Sequence, residues 1–394
     1  MNKMPYVCEG CIVDEALQEL VRENVVSRTC DFCKITSEAI FACELDIVIQ
    51  RMRECIDYEY TAPENELGWG GKDHGYIGNV LEGADALFAA IGLGIVNDEL
   101  RILLERYFEG WYCTRDHYGS SESEVFKFAW SRFKDVVQHQ RRYTFWECED
   151  TGEFNEPGYD ISVNSLMRII VEHVEDLGLV VELPQGSEMW RVRVFDQGQS
   201  SKDPNRYTSP PVDKANQPNR MSPAGVPMFY TAEDFQTGYA ETVEPDKMAG
   251  KEATGAKFVT LVPLNVLDLF DIQRPSSFFV EFDRTTRQAI DFLAAFADDL
   301  SRPIERDDRQ HIEYVPTQVF TEYVRFKMLT PSGMPLHGIK YKSSRNGRAC
   351  YVLFAEQSDC LPGAADRPRP QIVQFVDGSL WTANHVGEVS LCPT

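Results

Sequence analysis

Apolar positions recur along the chain with two periods, and the change falls near residue 183. Before it, Phe41, Leu45, Val48, Met52 and Cys55 follow one another at steps of four and three, one stripe of an amphipathic helix. Further helices are predicted over 79–90, 98–108, 122–141 and 162–177. The third opens with Ser121-x-x-Glu124, a capping box, ahead of a stripe of Val125, Ala129, Phe133 and Val136. Segment 36–183 therefore reads as an all-α bundle. A glycine-rich stretch at 67–78 lacks the lysine-then-hydroxyl ending of a phosphate loop and reads as a connection.

A Pro/Gly break at 182–187 precedes the second regime. Residues 189–195 alternate, with Trp190, Val192 and Val194 on one face and Arg191 and Arg193 on the other. Two arginines pointing together are either a solvated edge or an anion site. Residues 197–218 are polar and rich in Pro, Ser, Asn and Asp, an exposed loop leading into a short apolar run at 226–230 that reads as a buried strand. A helix is predicted from about 232, with Glu241 near its end. Strands follow at 257–263 and 266–269, and then a helix at 286–300 with Ile290, Leu293 and Phe296 on one face. A helix at 316–329 and strands at 349–354 and 371–376 complete an α+β segment.

Composition narrows the picture. The 394 residues suffice for two or three cores, and 43% apolar with 26% charged residues is a soluble globular balance. A net charge of −23 repels nucleic acid backbones, which disfavours broad binding to them and leaves room for a local basic site. No run has the length of a membrane span, and no charged-then-apolar signal opens the sequence, so a cytoplasmic location is expected. Eleven cysteines, an odd number, argue in that setting against a disulfide framework. Cys8-x-x-Cys11 and Cys30-x-x-Cys33, separated by 18 residues, instead have the spacing of a two-knuckle zinc site. Four thiolates fill the tetrahedron, so the Zn²⁺ would be structural and closed to catalysis. The competing reading is four reduced thiols or a redox pair. As a scaffold or docking element, such a knuckle would span 1–35.

One stretch is more specific than any pattern. Residues 219–241 read N-R-M-S-P-A-G-V-P-M-F-Y-T-A-E-D-F-Q-T-G-Y-A-E, bringing Arg220 from a loop, Tyr230 from a strand end and Glu241 from a helix. This order closely resembles the signature of the RES domain family. Two more motifs follow the family's order. Trp190-Arg191 stands where RES domains begin with an aromatic–Arg pair, with tryptophan where tyrosine is common. His337-G-I-K-Y-K-Ser343-Ser344 resembles G-I-x-Y-x-S before a strand ending in Leu-Phe; Ser343 takes the serine position, with Ser344 as the neighbouring alternative. In the helical segment, Arg132-F-K-D-V-V-Q-His139 resembles the R-x4–6-H motif of HEPN domains, with Phe133 where a polar residue is usual.

The RES resemblance covers about 185–394 and implies an α+β domain at 184–394, resembling the ADP-ribosyltransferase fold; with the zinc knuckle at 1–35 and the HEPN-like bundle at 36–183 the chain reads as three parts. It implies an NAD⁺-degrading toxin or defence effector that breaks the nicotinamide–ribose bond, with phosphate or water as acceptor: an NAD⁺ phosphorylase or glycohydrolase. In that chemistry Glu241 would face the developing cation, Tyr230 would position the nicotinamide, Arg191 and Arg220 would hold the pyrophosphate, and Ser343 would hydrogen-bond the ribose or amide. The implied partners are an antitoxin or regulatory protein and a second copy through the helical bundle. Three rivals stand beside this reading. They are a HEPN ribonuclease acting through Arg132 and His139, a protein ADP-ribosyltransferase, and a zinc-dependent adaptor that binds nucleotide without turnover.

Overall fold

Residues 4–70, 75–115, 121–147, 161–275, 277–280, 284–302, 309–361, 370–383 and 389–391 are described by a computed structural model of the protein. Contacts group the chain into two units. One comprises Met1–Val125, Glu156–Tyr159 and Gln273–Asp291; the other comprises Phe126–Asn155, Asp160–Ile272 and Phe292–Thr394. This grouping differs from the sequence segments, which divide at 35 and 183.

In the first unit, β1 (Tyr6–Cys8) pairs antiparallel with β2 (Ala42–Glu44), and α1 (Glu15–Glu23) lies between them in sequence. Asp14 caps α1 by accepting from the Leu17 amide at 3.0 Å, satisfying one of the first-turn donors. Of the stripe read at 41–55, Phe41 precedes β2 and the rest lies on α2 (Leu45–Glu59), where Leu45, Val48, Met52 and Cys55 are all buried. They share a core with Val7, Cys8, Cys11 and Cys30, so the cysteine knuckle belongs to this unit's interior. Next come β3 (Tyr60–Thr61), α3 (Pro63–Glu66), β4 (Leu81–Glu82), α4 (Ala84–Ile91), α5 (Asp98–Tyr107) and β5 (Trp111–Thr114), with the sheet order β3-β5-β4. The segment expected to be purely helical thus carries short strands, each too brief to leave a two-residue period. One consequence is that α4 starts at Ala84, later than the pattern suggested, because Gly83 turns the chain at φ 89 straight after β4.

The second unit opens with α6 (Glu122–Asp135), whose residues from Phe126 belong to it, continued by a π-helical turn at Val136–Gln140. Then come α7 (Leu166–Asp176), β6 (Val180–Leu183), β7 (Glu188–Asp196), β8 (Phe229–Ala232), α8 (Phe235–Thr242), β9 (Lys251–Thr260) and β10 (Leu264–Asp268). The remainder is α9 (Arg284–Ser301), which enters this unit at Phe292, followed by α10 (Gln310–Glu313), α11 (Val315–Lys327), β11 (Gly338–Lys342), β12 (Ala349–Leu353), β13 (Val373–Phe375), β14 (Trp381–Ala383) and β15 (Val389–Leu391). The strands form one curled sheet in the order β15-β14-β9-β7-β8-β12-β11-β10-β6, with β13 also on β9. Of its pairs, β10 with β11 is parallel, and α9 to α11 make the long crossover that a parallel pair needs.

The sheet is covered by helices from both sides of the sequence break. Phe126 and Trp130 of α6 meet Phe292 and Phe296 of α9 with ring centroids 5.0 and 4.8 Å apart, and Phe296 meets Phe320 of α11 at 4.8 Å. Leu267, Ile339 and Val352 of the sheet belong to the same core. The Trp130 indole and Lys134 ammonium both donate to Asp299, at 2.8 and 2.9 Å. Residues 126–147 and 161–183 are thereby part of the fold that carries the cleft. Around the Pro/Gly break, β6 pairs with β10, and Gly186 turns the chain at φ 85 into β7.

Candidate functional site

β7 pairs with β9 along its full length, from Glu188↔Val259 to Asp196↔Lys251. On its other side it meets β8 at one position, Trp190↔Ala232. The two strands then diverge, and a cavity of about 680 Å³ opens at this seam. That volume lies in the range of small-molecule sites. Glycines let the neighbouring backbone close in. A Cβ at Gly238 of α8 would lie 2.9 Å from Val192 Cγ2, and one at Gly255 of β9 would lie 2.5 Å from Phe235 Cδ2. In the G-I-K-Y-K motif, a Cβ at Gly338 would stand 2.4 Å from the Val352 carbonyl oxygen, so β11 and β12 can pair there only around glycine.

Arg191 spans the seam. Its guanidinium donates to the Tyr230 carbonyl at 2.7 Å and lies over the Phe229 ring, while its buried Nε has no hydrogen-bond partner among the described residues. Burial, and then the nearby Arg193, push its pKa down to about 9. A cationic group held in this way is stabilised by an anion. Trp190 packs edge-on against Phe235 at 5.8 Å and tilts against Trp381 at 4.7 Å. A ring therefore suffices at this position, and the absent tyrosine hydroxyl is not missed by the packing.

Arg220 and Tyr230 are tied to one turn. Asn219 and Ser222 bridge each other through their backbones, and the Tyr230 hydroxyl accepts from the Met221 amide at 3.2 Å and shares a 3.0 Å hydrogen bond with Ser222 Oγ. Burial raises the Tyr230 phenol to about 12. From the other side, Gln318 of α11 donates to the Asn219 carbonyl at 2.9 Å, and Thr317 Oγ1 donates to that of Arg220. Arg220 itself lines the cavity, but its Nη1 donates to the carbonyls of Leu300 and Arg302 at the end of α9, at 2.5 and 2.6 Å. One of its nitrogens is thus committed to a helix C-terminus, a use no sequence pattern suggested.

Glu241 lies in the last turn of α8, which Asp234 caps by accepting from the Thr237 amide at 2.7 Å. Ser343 Oγ donates to Glu241 Oε1 and accepts from the Arg345 amide at 3.1 Å. Ser343 is 2% exposed, whereas Ser344 is on the cavity wall. Ser343 holds the carboxylate, and Ser344 faces the space. Tyr341 and Cys350, paired across β11 and β12, also line the cavity, and burial raises both their pKa values.

The cavity's charge was only partly anticipated. Its ionisable cations are Arg191, Arg193, Arg206, Lys214, Arg220 and Arg345, and its carboxylate is Glu241. Arg206 and Lys214 come from the stretch read as an exposed loop, which is in fact pinned. Tyr207 is fully buried, its hydroxyl donates to the Ser201 carbonyl at 2.7 Å, and Ser209 Oγ donates to the Ala355 carbonyl at 2.7 Å.

Two other constellations complete the candidates. Arg132 is half-buried at the end of α6, and His139 is exposed on the π-helical turn, where the Arg141 amide reaches back to the Val136 carbonyl at 2.7 Å. Phe133 is fully buried and stacks on Trp130 at 5.3 Å, which explains an apolar residue after the arginine. In the first unit, the Sγ atoms of Cys8, Cys11, Cys30 and Cys33 all lie within 4.8 Å of one another. Individual separations are 3.8 Å for Cys8–Cys11, 3.6 Å for Cys8–Cys33 and 3.8 Å for Cys11–Cys30. A tetrahedral ion with bonds of about 2.3 Å to sulfur needs edges of about 3.8 Å. The four thiols could therefore hold one metal ion. Among the described residues, no helix is long and apolar enough to cross a membrane.

Together these features define a two-part protein. A helical N-terminal region precedes an α+β domain whose curled sheet parts over a cation-rich cleft. Comparison with family models agrees: residues 188–374 match the RES domain, and residues 23–151 match HEPN/RES N-terminal domain 1. The chain thus carries a RES domain preceded by the N-terminal domain that bears its name. No curated protein and no solved structure matches it.

Proposed function

We propose that the cleft binds NAD⁺ and cleaves its nicotinamide–ribose bond. The observation that carries this reading is the polarity of the cleft: six cations and one carboxylate line one cavity. NAD⁺ has the complementary pattern, an anionic pyrophosphate and a cationic ring. Arg191 and Arg220 take the pyrophosphate through charge-assisted hydrogen bonds. Glu241, at the C-terminal end of α8, faces the ribose–nicotinamide junction, where the helix dipole adds partial negative charge. Tyr230 and Tyr341 supply aromatic walls for the ring.

The C1′–N bond breaks with its electron pair going to the ring nitrogen, so nicotinamide leaves neutral and needs no proton. Positive charge builds on the ribose as in glycoside hydrolysis, and Glu241 stabilises it electrostatically. An oxygen of phosphate or water then bonds to C1′; with water, one proton is released to solvent. Ser343 acts through Glu241, keeping its carboxylate aimed. The test is product identification by mass spectrometry after incubation with NAD⁺, with and without inorganic phosphate. ADP-ribose and nicotinamide indicate hydrolysis; an ADP-ribose phosphate ester indicates phosphorolysis. Transfer of the label to protein would assign a protein acceptor, and intact NAD⁺ would refute the reading.

The four cysteines hold a structural Zn²⁺ in this account. Burial raises the Cys8 thiol to about 12, and a bound dication is what keeps such a group as thiolate at neutral pH. A toxin or defence role, restraint by an antitoxin-like protein and pairing of two copies through the helical region complete the proposal. Elemental analysis of the purified chain tests the metal directly.

A further inference from the structure

The cleft carries more positive charge than a dinucleotide requires. A pyrophosphate brings about two negative charges, and Arg191 with Arg220 already answer it in the function proposed above, on which this inference rests. Four cations remain: Arg345, in the turn after β11 beside Ser343 and Glu241, and Arg193, Arg206 and Lys214. Arg193 lies two residues beyond Arg191 on the same face of β7, about 7 Å further along the strand. Burial, and then the Arg206 charge, hold its guanidinium below the usual arginine range. Arg206 projects from the 3-10 turn Pro204–Tyr207 over the Phe195 ring, and Lys214 ends the next turn, Val212–Lys214.

These turns are built to hold their positions. Asp203 caps the first by accepting from the Asn205 amide at 3.0 Å, and Tyr207 and Ser209 anchor it from below. Arg193 and Arg206 repel each other, Lys214 lines the same cavity, and none of the three forms an ion pair among the described residues. Such an arrangement is stabilised by a compact multivalent anion. A phosphomonoester, carrying close to two charges and three acceptor oxygens, matches two guanidinium forks and an ammonium.

We propose that Arg193, Arg206 and Lys214 form a second anion subsite in the cleft, taking a phosphomonoester dianion beyond the pyrophosphate position. That group has two sources. It is either a 2′-phosphate carried on the dinucleotide, as in NADP⁺, or free inorganic phosphate.

The experiment compares the full-length protein with Arg206→Gln, Lys214→Gln and the double variant. Both side chains are exposed, so neither change opens a void in the core. Binding of NAD⁺, NADP⁺ and inorganic phosphate is measured by calorimetry in phosphate-free buffer, with melting curves confirming the fold. The expected result is a loss of at least about tenfold in affinity for NADP⁺ relative to NAD⁺, or for phosphate itself, in the double variant. Preference for NADP⁺, with phosphate competing against it, assigns the ribose phosphate. Phosphate binding alongside NAD⁺, with no gain for NADP⁺, assigns the free ion. If both the NADP⁺/NAD⁺ ratio and the phosphate affinity stay within twofold of the parent, the subsite is wrong. Should NAD⁺ neither bind nor be consumed while phosphate affinity still depends on Arg206 and Lys214, the subsite stands and the NAD⁺ reading falls. Where NAD⁺ is consumed and the substitutions change neither affinity, the NAD⁺ reading stands and the subsite falls.

Discussion

Replacing Ser343 with alanine separates a positioning role from a binding role. Its hydroxyl links the Glu241 carboxylate to the Arg345 amide in the turn after β11, and its side chain is 2% exposed. A hydrogen bond to a charged acceptor contributes about 1.5–3 kcal/mol, equivalent to roughly 10- to 150-fold. Glu241 is half-buried, so water can replace part of what is lost, and the lower end applies. Ser343→Ala should therefore lower kcat for nicotinamide release about 10- to 30-fold while KM changes less than about threefold. Ser344→Ala should do the reverse, raising KM with kcat nearly kept, because that residue faces the cavity. Steady-state kinetics over a range of NAD⁺ concentrations, with melting temperatures as a control for folding, decides between them. A Ser343→Ala enzyme with kcat within twofold of the parent, or with its whole defect in KM, would refute the positioning role.

Other outcomes follow from the same geometry. Gly338→Ala should cost about 1–3 kcal/mol, since the added Cβ meets the Val352 carbonyl 2.4 Å away, and chemical denaturation should show it as a shifted midpoint. Dinucleotide affinity should be flat up to about pH 9 and fall above it. Arg191, depressed to about 9 in the free protein, has by then lost the proton that the anion-bound form retains, and titration calorimetry across pH 7–10 checks the sign. With the proposed Zn²⁺ bound, a strong chelator should lower the melting temperature, because Cys8, Cys11 and Cys30 lie within the first unit's core; Cys11→Ser should lower metal content and stability together.

The parts of the site that were legible in the sequence are those that local order encodes. Strand alternation put Arg191 and Arg193 on one face and the helix reading put Glu241 near a helix end, while the resemblance to RES domains singled out Arg191 and Glu241. The knuckle is readable because two C-x-x-C turns carry their own geometry. What was hidden depends on contacts distant in sequence. Arg206 and Lys214 sit in a polar stretch whose composition says loop, and only Tyr207 and Ser209 docking beneath it turn that loop into a wall. Ser343 and Ser344 are adjacent, and the direction of β11 decides which meets Glu241. The packing of 126–147 and 161–183 onto the sheet was likewise invisible, since an apolar helix face does not announce its partner; Phe126 and Trp130 find α9, some 165 residues on. The short strands of the first unit pair over two or three positions, below the length at which a period can be read.

The central claim is that Glu241 and the cations around it turn over NAD⁺. The most direct test follows NAD⁺ and nicotinamide by chromatography for the purified protein and for Glu241→Ala at equal concentration. The expected result is NAD⁺ loss matched by nicotinamide release, reduced at least about a hundredfold by the substitution while the melting temperature is preserved. NAD⁺ left intact by the parent protein, or consumed equally by Glu241→Ala, would contradict it.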